Sequence, residues 1–317
     1  MPGRKRRETI RRSLSMNGRK NIPASVRQRL LNKARSEARP FSEILQYYAM
    51  ERFLYRLTKS ANADQFVLKG ALLLRAWHAP TIRPTMDIDL LGYTSNDPDK
   101  IRSQIQEILS TDVEADGLHF DAGSIQVEPI RDATEYRGQR VVFRGTLGTA
   151  RIRLQLDIGF GDAVFPAAAY IKLPSILQSK QVRILGYSRD STVAEKLDAM
   201  FRLGIVNSRM KDFYDIWILS RLFNFGGSSL LEAVRLTFKT RGTKIASEPV
   251  IFTPEFKTEK QPQWAAFLRR ISDTTAPRDF TEIMRQLHEF LQPVIDALND
   301  EKPLLRRWAA PGPWHSS

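Results

Sequence analysis

The spacing of apolar residues in the first part of the chain predicts helices. Residues 42–57 place most of their apolar side chains on one stripe, at the three- and four-residue intervals of an amphipathic helix. A shorter segment ending at about Leu31 predicts a helix with Pro23 near its start. The stretch FVLKGALLLRAW (66–77) is typical of a short strand or turn that enters a third helix, and a fourth is expected over residues 98–110.

From about residue 117 to residue 159 the apolar period changes to two, which predicts β-strands. The segment 150–158 alternates most clearly. Its apolar face carries Ile152, Leu154, Leu156 and Ile158, and its polar face carries Arg151, Arg153, Gln155 and Asp157. The other expected strands are 117–120, 125–130, 139–147 and 182–187.

Helical periodicity returns after residue 190. Thr192 and Glu195 fit a capping box in front of an apolar stripe that ends near Gly204. Further helices are expected over 209–222, 229–239, 262–271 and 278–298. The sequence therefore predicts an α+β fold, with a small mixed sheet flanked by helices and a helical C-terminal half. The expected divisions are a basic flexible arm (1–21), an α/β domain (22–190), a helical domain completing the active site (191–299) and an irregular tail (300–317).

Positive charge dominates the composition. The 317 residues include 49 Lys and Arg against 35 Asp and Glu, a formal net charge of +14 that favours a polyanionic partner. Residues 1–20 hold eight of the basic residues and one acid, so we expect a mobile arm. A solvated leader has the same composition, and a transit peptide would also fit it.

Residue types that are missing exclude several classes of protein. The absence of cysteine excludes disulfides, cysteine-containing zinc sites and a cysteine nucleophile, and it suits a cytoplasmic protein. The four histidines show no metal-ligand spacing. No stretch approaches about 18 apolar residues, so we expect no membrane span.

Asp87-Ile88-Asp89 is the central chemical feature of the sequence. On a strand both carboxylates project to the same side, where like charges are unfavourable unless a cation lies between them. A hard divalent ion such as Mg²⁺ prefers such oxygen ligands. Acidic pairs of this spacing also occur in solvated turns and in glycosyltransferases, but apolar flanking residues favour a strand here.

Two further features give that pair a context. Lys69-Gly70-Ala71 precedes an expected helix, where backbone N–H groups could hold phosphates. Asp157 lies on the polar face of a later strand, and three carboxylates on neighbouring strands suit a two-metal phosphoryl-transfer site. The alternative for Asp157 is an ion pair with Arg151 or Arg153.

Together these motifs resemble a known family. FVLKGALLLRAW (66–77), RPTMDIDLL (83–91), VAEKLDAMFRLG (193–204) and RMKDFYDIWIL (209–219) are similar to segments of the AbiEii/AbiGii toxins, which include the MenT-like mycobacterial toxins. That family belongs to the DNA polymerase beta-type nucleotidyltransferase superfamily. The resemblance implies a nucleotidyltransferase fold.

The resemblance also implies an activity and its residues. The chain would be the toxin of a bacterial type IV toxin–antitoxin system, moving NMP from an NTP to RNA, with the tRNA 3′ acceptor end as the expected site, and so blocking translation. Its antitoxin would be encoded separately. Two Mg²⁺ ions are expected. By motif, Asp87, Asp89 and Asp157 would hold metal, Lys196 would contact the triphosphate and Asp212 would be the acid of the KDxYD motif; Lys69, Gly70, Ala71 and Thr85 would line the nucleotide site.

Other interpretations stay open at this point. Gly70-Ala71 replaces the usual Gly-Gly or Gly-Ser, so any phosphate contact from Ala71 must come from backbone N–H. From the residues alone, Lys196 is a solvated helix lysine and Asp212 a surface acid. A nucleotidyltransferase acting on a protein or a small molecule is one alternative function. A catalytically inactive nucleic-acid-binding regulator is another.

Overall fold

The helices and strands of this computed structural model lie in residues 21–79, 84–130, 138–178, 180–246 and 248–316, which the structure describes. The α-helices in these ranges are α1 (Ile22–Ser36), α2 (Phe41–Lys59), α3 (Leu72–Ala76), α4 (Pro98–Ser110), α5 (Arg189–Leu203), α6 (Met210–Leu222), α7 (Gly227–Arg241), α8 (Pro254–Ile271) and α9 (Phe280–Asn299). The strands are β1 (Phe66–Lys69), β2 (Ile88–Gly92), β3 (Leu118–Pro129), β4 (Gly138–Leu147), β5 (Ala150–Phe160), β6 (Ala169–Leu173), β7 (Val182–Gly186), β8 (Phe225–Gly226), β9 (Arg306–Trp308) and β10 (Trp314–Ser316). The basic arm lies outside the described residues, except for Asn21, whose side chain caps α1.

A mixed sheet of seven strands, in the order β3-β4-β5-β2-β1-β7-β6, lies at the centre of the first half. The β2–β5 and β1–β7 pairs are parallel and the other neighbours are antiparallel. The expectation of a small sheet was wrong. Segments 117–120 and 125–130 form one strand, β3, whose register shifts between Asp121 and Gln126. The pattern also missed β6, because this edge strand buries only Leu173 and therefore shows no apolar alternation.

The two faces of this sheet differ in chemistry. One face is apolar and packs against α2, where the rings of Phe53 and Phe143 lie 5.5 Å apart. Because side chains alternate along a strand, the other face carries the polar residues of β5, including Asp157. The alternation thus places the candidate carboxylates away from the apolar core.

A second hydrophobic cluster holds the helices of the C-terminal half. It draws on residues from Val193 to Trp308, with Leu74 and Ala79, whereas the first cluster lies between Val26 and Tyr187. Helix α5 begins earlier than the capping box predicted. Ser188 is the N-cap, because its side chain accepts a hydrogen bond from the N–H of Ser191.

The end of the chain is ordered, contrary to the expected irregular tail. Strands β9 and β10 pair with each other, and β9 pairs with β8. Two tryptophans explain this order, since Trp308 and Trp314 both pack on Phe290 of α9, with ring centroids 4.9 and 5.9 Å away. Within the described part of the chain, every helix is too short or too polar to cross a membrane.

Candidate active site

Three carboxylates meet on the polar face of the central strands. Asp89 lies directly opposite Asp157 in the parallel β2–β5 pair, and Asp87 immediately precedes β2. One oxygen from each of Asp87, Asp89 and Asp157 can be chosen so that all three lie within 4.8 Å of one another. All three side chains are half-buried. Hard oxygen donors in this arrangement fit a divalent cation of the Mg²⁺ type.

Asp89 has the most perturbed carboxyl group of the three. Burial, together with the neighbouring charges of Asp87 and Asp157, raises its pKa to about 6, although Lys211 and Lys69 oppose the shift. A cation between these groups would remove the repulsion that raises this pKa. The electrostatics of the metal-free site therefore favour cation binding.

Asp87 is oriented by Thr85. The Thr85 hydroxyl donates a hydrogen bond of 2.7 Å to Asp87 Oδ1, and the Thr85 backbone N–H donates to the hydroxyl of Tyr47 on α2. Thr85 itself is buried. The structure thus shows that Thr85 positions the Asp87 carboxylate.

Gly70 makes room for Asp89. The backbone of Gly70 has φ +72°, and a Cβ built on it would lie 1.9 Å from Asp89 Oδ2. Only glycine leaves the Asp89 carboxylate in this position. The turn enters α3, which has five residues, so the helix-dipole argument for phosphate binding at Ala71 is weak here. The observed role of the Gly70 turn is close approach to Asp89.

Asp157 pairs with neither Arg151 nor Arg153. Its partner is Arg140, which lies directly opposite it on β4. Arg140 Nε donates to Oδ1 at 2.8 Å and Nη2 donates to Oδ2 at 2.7 Å. The two-residue turn Gly148-Thr149 that joins β4 to β5 sets this register, with Leu147 opposite Ala150. Reading that turn as a tight hairpin would have found Arg140 from the sequence.

Lys196 bridges two helices. Its ammonium group lies 2.8 Å from Asp212 and 2.8 Å from Asp215, so this lysine of α5 holds two carboxylates of α6. Its side chain is 13% exposed, which contradicts a solvated helix residue. Burial alone would raise the pKa of Asp212, but Lys196 and Arg209 outweigh it and lower that pKa to about 2.

Lys69 belongs to a buried ionic network behind the triad. Its ammonium group contacts Asp162 at 2.7 Å and Glu195 at 3.1 Å. Arg241 of α7 joins the same Asp162 and Glu195 and also contacts Asp198. The network connects β1 with α5 and α7, and so joins the sheet to the helical half.

A cavity of about 370 Å³ opens between the sheet and the helices. The triad and every other predicted site residue border it. Its described cationic lining residues are Lys69, Arg140, Lys196, Arg202, Arg209, Lys211 and Arg241. The side chain of Lys211 is exposed and forms no salt bridge with any of the described residues. No sequence pattern marks the cations from β4 and α7 as site residues, because only tertiary packing brings them to the cavity.

Comparisons with known proteins give the chain a family. A family model described as the nucleotidyl transferase AbiEii toxin of a type IV toxin–antitoxin system matches residues 52–286. Among curated proteins none matches the chain.

Two solved structures from Helicobacter pylori are similar: JHP933, and a protein described as a candidate nucleotidyltransferase. Each is 14% identical and covers 82% of this chain, with 94% and 97% of the neighbour covered and TM-scores of 0.46 and 0.45. A likeness this distant carries no argument about the present chain. The family match, by contrast, spans most of the sequence, including the triad and Lys196. This chain therefore belongs to the AbiEii nucleotidyltransferase toxin family of type IV toxin–antitoxin systems.

Proposed function

We propose that this protein is a toxin that transfers NMP from an NTP to the 3′-hydroxyl of an RNA, with the tRNA acceptor end as the expected substrate. The observation that carries the proposal is the triad of Asp87, Asp89 and Asp157 at the edge of a cavity with many cationic side chains. Carboxylates alone would repel a nucleotide triphosphate. Next to cations and a bound divalent ion, they form a site for polyphosphate.

The triad is the proposed metal site, with Mg²⁺ as the expected ion. Two ions held there would lower the pKa of the attacking hydroxyl and stabilise the leaving pyrophosphate. The bond between the 3′-oxygen and the α-phosphorus forms as the α–β phosphoanhydride bond breaks, releasing pyrophosphate and a proton. Thr85 and Gly70 serve this step by holding Asp87 and Asp89 in place.

The cationic residues of the cavity are the proposed triphosphate contacts. Lys196 has this role by family resemblance, but its ammonium group already contacts Asp212 and Asp215. A phosphate at Lys196 would share that ammonium with them. Lys211 lines the same cavity from the first turn of α6; its side chain is exposed, which makes it the more available cation.

The polyanionic acceptor fits the charge of the chain. Arg151 and Arg153 project from the same face of β5 as Asp157 and are exposed, so they continue a basic surface away from the triad. The basic arm would add to the attraction for the RNA backbone. Blocked translation, a cytoplasmic site of action and a separately encoded antitoxin complete the proposal, the last following from the type IV family.

A radiolabelled NTP assay tests the proposal. Full-length protein is incubated with bulk tRNA and each NTP in turn, with Mg²⁺ or with EDTA. We expect label on the RNA 3′ end only with Mg²⁺, and no label on RNA whose 3′-hydroxyl has been oxidised. Asp87→Ala and Asp89→Ala should abolish transfer without unfolding the protein. Label on protein or on small molecules in place of RNA would overturn the assigned acceptor.

A further inference from the structure

Arg140 forms an ion pair with Asp157, the same carboxylate that a metal ion in the triad would bind, so the guanidinium and the metal ion would compete for it. Arg140 engages both oxygens of Asp157, at 2.8 and 2.7 Å. Asp157 is also one of the three carboxylates that can meet around a metal ion. A guanidinium and a divalent ion at the same carboxylate repel each other, because both are positive and only a few ångströms apart.

Charge explains why an arginine occupies this place in the metal-free protein. Three half-buried carboxylates within 4.8 Å repel one another. Arg140 supplies a positive charge on the open side of the cluster, while Thr85 contributes only a neutral hydroxyl to Asp87. In this state Arg140 is a counter-ion in direct contact with the triad.

The surroundings of Arg140 allow it to leave. Its side chain is 36% exposed, so it lies at the rim of the cavity and not under it. Glu128 of β3 is exposed and lies directly opposite Arg140 on the other side of β4. Arg140 also lines the cavity proposed to hold substrate phosphates. It can therefore exchange Asp157 for another anion without breaking the core.

We propose that Arg140 is a displaceable counter-ion of the triad, which neutralises Asp157 when metal is absent and moves to a substrate phosphate in the cavity when metal binds. The proposal rests on the proposed metal and nucleotide site. It makes metal loading and phosphate binding depend on each other. Arg140 is here a positioning residue, since it acts through Asp157.

Metal affinity, measured without nucleotide, tests the competition directly. Mn²⁺ binding to the full chain is followed by calorimetry or by electron paramagnetic resonance. Removing the positive charge next to the site should strengthen binding, so Arg140→Gln is expected to bind Mn²⁺ about tenfold more tightly than wild type. Arg153→Gln is the matched control, because it removes an exposed arginine from the same sheet face without touching Asp157. Its Mn²⁺ affinity should change less than about twofold.

Nucleotide binding tests the second half of the proposal. A non-hydrolysable NTP analogue, added with saturating Mn²⁺, should bind Arg140→Gln less tightly than wild type although the metal binds more tightly. Melting temperatures show whether each variant is folded. If a folded Arg140→Gln binds Mn²⁺ no more tightly than wild type, Arg140 is not a competitor and the proposal is wrong. If neither wild type nor Asp87→Asn binds Mn²⁺, the proposed metal site itself is wrong. That result differs from the one in which wild type binds Mn²⁺ and Arg140→Gln binds it with the same affinity.

Discussion

Single residues decide whether the triad can form at all. Asp87, Asp89 and Asp157 were predicted as neighbours because strand periodicity puts them on one face, and the structure brings their oxygens together. The residues that hold them were less visible in the sequence. Thr85 and Gly70 were expected to line the nucleotide site; both border the cavity, and the structure also shows Thr85 in contact with Asp87 and Gly70 close to Asp89.

Gly70→Ala should abolish metal binding and transfer while leaving the fold largely intact. The new Cβ would overlap Asp89 Oδ2, at a built distance of 1.9 Å, and would drive that carboxylate out of the triad. The positive φ adds a strain of about 1 kcal/mol. Gly161→Ala is the control, because Gly161 has a similar φ of +76° and nothing within 4 Å of its Cβ position. For both variants, calorimetry measures the stability of the fold and Mn²⁺ titration measures metal binding. Normal metal binding by Gly70→Ala would contradict the steric argument.

Asp89→Asn should stabilise the metal-free protein at neutral pH. The raised pKa of Asp89, about 6, means that the folded state binds its proton more tightly than the unfolded chain does. The contribution of Asp89 to folding stability therefore falls as pH rises from about 4 to 6. The asparagine variant avoids that loss, which is on the order of 1–3 kcal/mol. Denaturation in EDTA at pH 7.5 and at pH 4 measures it. The advantage should vanish at pH 4, and excess Mg²⁺ should reverse it at pH 7.5 by stabilising wild type alone.

At the scale of elements, α5 and α6 are joined by the Lys196 clasp. The ammonium group of Lys196 lies between Asp212 and Asp215, both of them buried. Loss of activity in a Lys196 variant would therefore combine a change in the site with a change in how the helices pack. The sequence could not show this, because the clasp depends on how two helices pack.

Lys196→Ala should lower the free energy of unfolding by about 3 kcal/mol at pH 7, since it removes a cation from two buried carboxylates. The depressed pKa of Asp212, about 2, gives the pH dependence: the stability from this pair is present above pH 4 and is lost as pH falls toward 2. Urea denaturation across this range checks both points. Lys211→Ala, next to Asp212 but exposed, should change stability by less than about 0.5 kcal/mol. An equal effect of the two substitutions would contradict the clasp.

Strand positions were easier to predict than strand partners. The clear alternation of β5 follows from one buried and one open face, and its limits were nearly right. Pairing depends on residues on different strands, which the pattern of one strand does not show. The sequence therefore offered Arg151 or Arg153 of β5 as the partner of Asp157, whereas the partner is Arg140 of β4. The edge strand β6 and the tail strands were missed because one lacks a buried face and the others depend on contacts with Phe290.

At the scale of the whole molecule, one ionic network joins the two hydrophobic clusters. Arg241 of α7 contacts Asp162, Glu195 and Asp198, which lie after β5 and on α5. The same Asp162 and Glu195 contact Lys69 of β1. We expect the two clusters to unfold together, because separating them would leave the charges of this network without their partners.

Arg241→Ala should destabilise the protein by about 3 kcal/mol or more, since three buried or half-buried carboxylates lose a shared cation. Thermal unfolding should stay a single transition at a lower temperature. Arg235→Ala on the same helix is the control, because Arg235 forms an exposed pair with Glu232 and its removal should cost less than about 1 kcal/mol. Two separate transitions in wild type would show that the network does not couple the clusters.

The short turn between β4 and β5 limits how this protein can vary in length. Because Gly148-Thr149 fixes which residue of β4 faces Asp157, an inserted residue that moves the two-residue turn along the chain would shift every pair of the hairpin by one position. Arg140 would then no longer face Asp157, although no side chain of the site had been replaced. Most surface loops accept an extra residue at small cost. At this turn we expect insertions and deletions to be as damaging as a substitution in the triad, while changes of residue type at Thr149 should be tolerated.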